Sequence, residues 1–319
     1  MHDLFAILSD GEFHSGEEIG RRLGITRAAV WKQIQRLREE SGQEVESKRG
    51  KGYRLSNAVE MLDPDYLRKE LADELPLHVH QTIDSTNEEA KRLLRKTGKP
   101  CLVVAEQQTS GRGRRGRHWH SPYAANLYFS LVWPVVAGMR QLEGLSLAVG
   151  LSVQGTLTRL GLTGSGVKWP NDVLVQDRKI SGILLEVVGD PTDRSHVIIG
   201  VGINVNMVAE QLAIEQSWTS LALELGRTLS RNTLLVELIR DLSDALQVQL
   251  ADGFPAIREE WQAASLWQGR KVVLQAGENR IEGTVVGVTD TAELELDDGT
   301  GKITCYAGGE LTLRLRDDS

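Results

Sequence analysis

The sequence predicts an α+β protein in three parts, and three observations predict it. Residues 1–62 read as short helices around a tight turn followed by a basic hairpin, residues 63–265 interleave strands with helices, and residues 266–319 turn to short β runs. A chain of 319 residues with 40% hydrophobic content is long enough to bury a sizeable core and to divide into two or three domains.

Ser15-Gly-Glu-Glu18 is a capping-box pattern that opens a helix through Leu23, and Gly24 follows as a left-handed stop. Thr26 can cap a second helix in which Val30, Ile34 and Leu37 form the buried stripe. Arg27, Ala28, Trp31, Lys32, Gln35 and Arg36 are spread over its other sides, although an aromatic such as Trp31 could equally be core. Val45 to Leu55, with Lys48-Arg49-Gly50-Lys51-Gly52 at its centre, reads as a hairpin with a basic tip. Together these make a winged helix-turn-helix. Residues 1–20 carry five acids and no Lys or Arg, whereas residues 21–54 carry ten bases and four acids, so the recognition side is the basic side. Operator DNA is the expected partner, with Arg27, Ala28 and Lys32 in the groove and Lys48, Arg49 and Lys51 on the phosphates. Use of the module for dimer or protein contacts alone is the competing reading.

An acidic, helix-prone segment from Ala58 to Leu75 leads into the central part. His78 to Ile83 is a strand candidate, Ser85 or Thr86 caps a helix through Leu94, and Leu102 to Ala105 is a short apolar strand. Leu127 to Trp133 alternates as the next strand, and Met139 to Leu160 reads as a long helix. Val173 to Val175, the turn Gln176-Asp177-Arg178 and Lys179 to Val188 form a hairpin, and Val197 to Val205 is a further strand. Helices are expected at Thr233 to Leu250 and Pro255 to Ala264. From 270 to 315, short β runs are separated by turn signals at Gly277-Glu-Asn, Asp290 and Asp297-Asp-Gly299, which suggests an SH3-like barrel.

The bulk composition excludes several classes. There is no apolar run of membrane length and no basic N-terminal signal region, so the cytoplasm is the expected location, without a membrane partner. Cys101 and Cys305 stand far apart in no metal-ligand spacing; both read as small core hydrophobes, and no metal-ligating residues are assigned. A net charge of -7 argues against a coat for nucleic acid over the whole surface.

Residues 111–122, Gly-Arg-Gly-Arg-Arg-Gly-Arg-His-Trp-His-Ser-Pro, interleave four arginines with three glycines. Glycines permit close backbone approach, guanidinium forks match phosphate and carboxylate oxygens, and Trp119 offers a flat face for a ring. The stretch points to a nucleotide or acyl-phosphate ligand, against the plainer readings of a non-specific nucleic-acid patch or a solvated loop. Neither a Rossmann fingerprint nor a P-loop is present, so ATP would be bound by another device.

Ser85-Thr86-Asn87, the arginine loop with Trp119, Ser121 and Pro122, Lys168-Trp-Pro-Asn-Asp172, Lys179 with Gly182, and Gly202-Ile-Asn204 occur in the order seen in biotin-protein ligases. With the winged helix in front, the chain resembles the bifunctional bacterial kind, which is also the biotin operon repressor. The resemblance implies a central domain like that of class II synthetases. It implies activation of biotin by ATP, with Mg²⁺, to biotinyl-5'-AMP, and transfer to a lysine of the biotin carboxyl carrier protein of acetyl-CoA carboxylase. It also implies a homodimer when the adenylate is bound. Biotin would be held by Ser85, Thr86, Asn87, Gln108, Gly111, Arg112, Gly113 and Gly182. Lys179 would bridge its carboxylate and the α-phosphate, and Arg114 and Arg117 would gather phosphates. Trp119, Lys168, Asn171 and Asn204 would lie at the adenylate. Asp172 could orient or deprotonate the attacking amine, help hold Mg²⁺, or simply cap the turn before Val173; Lys168 could be a structural cation, and Trp169 reads as core. Ala307-Gly-Gly-Glu310 and Arg314 resemble the family's terminal segment, which implies help with ATP or the acceptor. A DNA-binding biotin sensor without ligase activity, and a lipoate or other acyl ligase, are the rival readings.

Overall fold

Local signals place the first elements. The computed structural model describes residues 2–41, 44–56, 58–71, 75–135, 142–189, 195–208, 214, 216–276, 279–308 and 311–316. Helix α2 (Gly16–Leu23) starts where the Ser15 hydroxyl accepts the Glu18 amide and stops at Gly24, φ 67°. Helix α3 (Arg27–Ser41) starts where Thr26 Oγ1 accepts the Ala29 amide, and buries Val30, Ile34 and Leu37 completely. Strands β1 (Val45–Lys48) and β2 (Gly52–Leu55) pair from Val45↔Leu55 to Lys48↔Gly52. Gly52 is obligatory in its turn: at φ 110° a Cβ would lie 2.0 Å from the His14 carbonyl oxygen. A helix the sequence reading omits, α1 (His2–Leu8), supplies Leu4, Phe5 and Leu8 to this core.

The central sheet has seven strands in the order β3-β4-β5-β9-β8-β7-β6. These are β3 (Leu77–His80), β4 (Leu102–Ala105), β5 (Leu127–Val135), β6 (Ser165–Lys168), β7 (Asp172–Val175), β8 (Arg178–Gly189) and β9 (Ser195–Ile203). The β3–β4 pair is parallel and the others are antiparallel. Gln176 and Asp177, both at positive φ, make the tight turn between β7 and β8. Strand β6 was not foreseen, and β5 does not alternate as expected. Its Leu127, Phe129 and Leu131 join the core under α6 (Leu145–Arg159) and α8 (Arg231–Asp252), while Val132 packs with Ala90 and Leu94 of α5 (Thr86–Thr97) on the opposite face. A strand covered on both faces reads as a continuous apolar run.

The remaining central helices are α4 (Pro64–Leu71), α7 (Leu221–Leu225), which the sequence does not signal, and α9 (Arg258–Ala264), which follows a 3-10 turn at Phe254–Ala256. The helix expected from Met139 begins at Leu145; Met139 itself lies outside the described residues, as do Gly277, Glu278, Gly309 and Glu310. The final strands, β10 (Lys271–Ala276), β11 (Asn279–Val288), β12 (Leu294–Asp297), β13 (Ile303–Tyr306) and β14 (Leu311–Leu315), form an antiparallel sheet in the order β13-β12-β11-β10-β14. Barrel closure between β13 and β14 is not among the described pairings. Cys101 is buried as expected, but Cys305 is exposed, because β13 is an edge strand and residue 305 alternates away from the core. Among the described residues no helix is long and apolar enough to cross a membrane.

A buried ion pair inside the central part holds the backbone that connects the winged helix to it. Glu106, fully buried just after β4, takes Arg231 Nη1 at 2.6 Å and the Leu62 amide at 2.6 Å. Arg231 also donates to the Glu60 and Asn126 carbonyls, and Asn232 Nδ2 to the Met61 carbonyl. Beside it, Tyr123 meets Phe5 of α1 edge-to-face at 4.8 Å and joins the winged-helix core with Ala124.

Removing one partner of such a pair leaves a buried charge unmatched, which costs about 3–5 kcal/mol. Arg231→Leu should lower the urea midpoint strongly, and Glu106→Gln in the same chain should recover part of the loss. A midpoint unchanged by Arg231→Leu would contradict the role given to the pair.

Candidate functional site

A pocket of about 520 Å³ opens over β8 and β9 and is lined by the N-terminus of α5, the loop 108–120, residues 168–172, Lys179, Trp218 and residues 311–313. At one end the side chains are neutral and polar. Gln108 Oε1 accepts the Thr86 amide at 2.9 Å and the Thr86 hydroxyl at 3.1 Å, and Gln108 Nε2 donates to Ser121 Oγ at 3.2 Å. Ser130 Oγ lies 2.6 Å from Asn87 Oδ1, to which it donates, and 2.8 Å from Thr86 Oγ1, and Asn87 Nδ2 donates to Glu186 at 2.7 Å. Ser85 holds the cap position of α5 in extended backbone without a side-chain capping bond.

The arginine loop folds as a narrow turn against this end. Gly111 is required there, since a Cβ would come within 2.8 Å of the Trp119 carbonyl and 3.0 Å of Ser121 Oγ. The Gly113 amide donates to the Arg117 carbonyl at 2.7 Å, and the chain reverses at Arg115 and Gly116, φ 59° and 69°. Each arginine has a partner. Arg112 pairs with Glu88 of α5, Arg114 donates to Asn171 Oδ1 at 3.2 Å and the Gly308 carbonyl at 2.6 Å, and Arg115 and Arg117 share the Thr312 hydroxyl.

The indole of Trp119 lies on a glycine floor: a Cβ at Gly202 would fall 2.5 Å from the ring, and one at Gly182 3.0 Å. Its Nε1 is buried without a protein hydrogen-bond partner. Lys179 Nζ stands 5.4 Å from the ring centroid and 2.7 Å from Asp172 Oδ1; Lys168 Nζ is 3.8 Å from the other carboxylate oxygen and 4.5 Å from the Trp267 ring. Burial alone raises the Asp172 carboxyl, but Lys179, Lys168 and Arg114 outweigh it and hold the group below the usual carboxylate range. Burial also lowers Lys168, and Asp172 only partly restores it. Asn171 Nδ2 donates to the Ile183 carbonyl and Asn204 Nδ2 to the Thr219 carbonyl, while the Lys179 amide and carbonyl bond to Ser217 and Thr219. These bonds fix the backbone that carries Lys179.

The pocket thus brings together nearly every site residue expected between 85 and 204; Gly111 supports it from behind. Trp169 is buried, donating to the Ala292 carbonyl at 3.1 Å, with an edge on the pocket. Trp218, Thr312 and the Gly308 carbonyl were not foreseen, because their approach depends on packing between segments far apart in sequence. His118 and His120 stack edge-to-face at 4.7 Å on the pocket wall. Arg27, Ala28, Lys32, Lys48, Arg49 and Lys51 lie outside the pocket, exposed on α3 and the wing tip. Trp31 is exposed beside them rather than core. Chemically, one end suits a neutral polar ring and the other a concentration of negative charge.

Residues 79–204 match the model of the biotin/lipoate A/B protein ligase family, and residues 1–54 match an HTH domain model. The bifunctional ligase/repressor BirA of Salmonella typhimurium is 40% identical over 98% of this chain and 96% of its own length, and that of Escherichia coli is likewise 40% identical over the same shares. Among solved structures, the biotin protein ligase of Aquifex aeolicus in complex with biotin and ATP superposes with a TM-score of 0.65 at 30% identity, covering 76% of this chain and 99% of that one.

The lowered Lys168 ammonium loses its charge as pH rises through a range where an ordinary lysine stays protonated. Affinity for inorganic triphosphate, measured by calorimetry, should therefore decline early on the alkaline side, and Lys168→Arg, whose guanidinium does not titrate there, should flatten the decline. Identical pH profiles in the two proteins would exclude Lys168 from the anion site.

Proposed function

The chain belongs to the family of bifunctional biotin-protein ligases and repressors, and from that membership we propose how its pocket works. Biotin lies with its ureido ring among Ser85, Thr86, Asn87, Gln108 and the backbone from Gly111 to Gly113, beside Arg112 and over Gly182. Its carboxylate attacks the α-phosphorus of ATP; the bond to the β-phosphate oxygen breaks, pyrophosphate leaves, and biotinyl-5'-AMP remains. An acceptor lysine, as the free amine, then attacks the acyl carbon and AMP departs with the electron pair of the broken acyl–oxygen bond. The acceptor is the biotin carboxyl carrier protein of acetyl-CoA carboxylase.

No protein nucleophile is needed, so the residues act by position and charge. Lys179 sits between the two anions, Arg114 and Arg117 draw the phosphates, and Lys168 adds charge from behind. Trp119 walls the adenylate, and Asn171 and Asn204 hold its surroundings in place. The observation that carries this reading is the 2.7 Å contact of Asp172 with Lys179 inside a pocket whose other end is neutral and polar. A carboxylate held below its usual range is a weak base, which favours an orienting role for Asp172 over proton abstraction. It is also the one carboxylate among the described lining residues, and no group of three or more His, Cys, Asp or Glu gathers there or elsewhere among the described residues. Mg²⁺ would be held by the phosphates of ATP, with Asp172 as the nearest protein carboxylate.

The winged helix binds operator DNA as part of an adenylate-bound homodimer. A single winged helix reads one half-site, so a symmetric pair is needed for a full operator. The direct test is incubation of the purified chain with ATP, Mg²⁺, biotin and a carrier domain, with lipoate as the control substrate. Biotin on the carrier lysine supports the reading; lipoate transfer, or no transfer, overturns it.

Lys179→Ala should slow biotin-dependent pyrophosphate release about 100-fold or more while the melting transition stays near wild type, because it removes the cation between two anions. Operator affinity at fixed salt should rise with biotin plus ATP and fall when unbiotinylated carrier consumes the adenylate. DNA binding indifferent to both would refute the coupling while leaving ligation intact.

A further inference from the structure

The exposed face of α3 carries a feature that neither folding nor the ligase pocket uses. Val30, Ile34 and Leu37 are fully buried, whereas Trp31 keeps 54% of its surface open to solvent, the most of any tryptophan among the described residues. At 100° per residue, Trp31 lies about a quarter turn from the buried stripe, on the flank of the outward face whose middle is near Lys32, and one turn from Arg27, Ala28 and Gln35. Leaving an indole in water forgoes the burial that tryptophan ordinarily gains.

Charge identifies the occupant of this face. Arg27 and Lys32 flank Trp31 on the helix, Arg21 and Arg22 end the preceding helix, and Lys48, Arg49 and Lys51 crown the wing, all exposed. A second copy of the same face would set these cations against each other, whereas duplex DNA neutralises them. In the major groove the one apolar group on a base edge is the thymine C5 methyl. Building on the proposed operator binding, we infer that Trp31 is a base-reading side chain whose indole packs on a thymine methyl in each half-site. Arg27 and Lys32 anchor α3 to either side of it, and the wing lysines hold the phosphates.

The test uses the full chain with biotin and ATP, and duplexes enriched by that chain from a random-sequence pool. In these duplexes thymines are replaced one at a time by deoxyuridine, which removes only the methyl. At one thymine per half-site the replacement should weaken wild-type binding about 5- to 10-fold. Trp31→Ala should weaken binding to the thymine duplex at least as much and be indifferent to that replacement. Trp31→Phe, which keeps an apolar face, should retain part of the methyl dependence. Carrier biotinylation should be unchanged in both variants, since Trp31 lies outside the pocket. Trp31→Ala binding that equals wild type, or that still responds to the lost methyl, overturns the inference. So does a Trp31→Ala defect that disappears once the protein is fully dimeric. Failure of the wild-type chain to enrich any duplex overturns operator binding itself, a distinct result.

Discussion

Six cations, Arg112, Arg114, Arg115, Arg117, Lys168 and Lys179, line one pocket with a single carboxylate among the described lining residues, and the surrounding structure exists to hold them there. Two like charges 4 Å apart repel by about 4 kcal/mol at a near-surface effective dielectric of 20, so an unsupported cluster would scatter. Support comes from every neighbouring element. Glu88 at the start of α5 takes Arg112, the Gly308 carbonyl and Asn171 take Arg114, the Thr312 hydroxyl takes Arg115 and Arg117, and Asp172 takes Lys179. Trp267 and Trp119 present ring faces to the two lysines. The last sheet is therefore part of the site, since it supplies oxygen atoms to three of the four arginines only if it stays docked. Trp267 Nε1 and Arg270 secure that docking by bonding Asp177, two residues before Lys179, each at 2.8 Å.

The loop that carries the arginines is also tied to the winged helix. It leaves the sheet at Glu106, whose carboxylate receives Arg231 and the Leu62 amide, and returns at Tyr123, whose ring packs on Phe5. One end of the loop thus rests on the connecting segment at Leu62 and the other on the winged-helix core. The loop that lines the pocket is therefore anchored, at Tyr123, on a residue that also packs in the winged-helix core.

Much of this was legible in the sequence, and the exceptions share a cause. The capping box at Ser15, the hairpin around Gly50, strand β4 and the β7–β8 turn follow from local chemistry, and the structure keeps them nearly residue for residue. The convergence of Arg114, Lys179 and Gly202 on one pocket, with Gly111 behind it, was legible because they belong to patterns that few other uses would demand together. What escaped was set by distant contacts. Helix α1 has no capping signal of its own and is held by packing, β6 mixes Ser and Gly with Val and Lys, and β5 appeared half-exposed because its second cover, α5, lies outside any local window. Cys305 looked like core until β13 proved an edge strand. The Glu106–Arg231 pair joins residues 125 apart, a separation over which periodicity carries no information.

In the proposed reaction the pocket unites the carboxylate of biotin with the α-phosphate of ATP without an acceptor or a protein nucleophile. The most direct measurement is exchange of labelled pyrophosphate into ATP by the purified chain, with and without biotin and with no carrier present. Exchange should be absent without biotin, saturate as biotin is added, and not be supported by lipoate. Exchange that proceeds equally without biotin, or none at saturating biotin and ATP with Mg²⁺, would contradict that reaction.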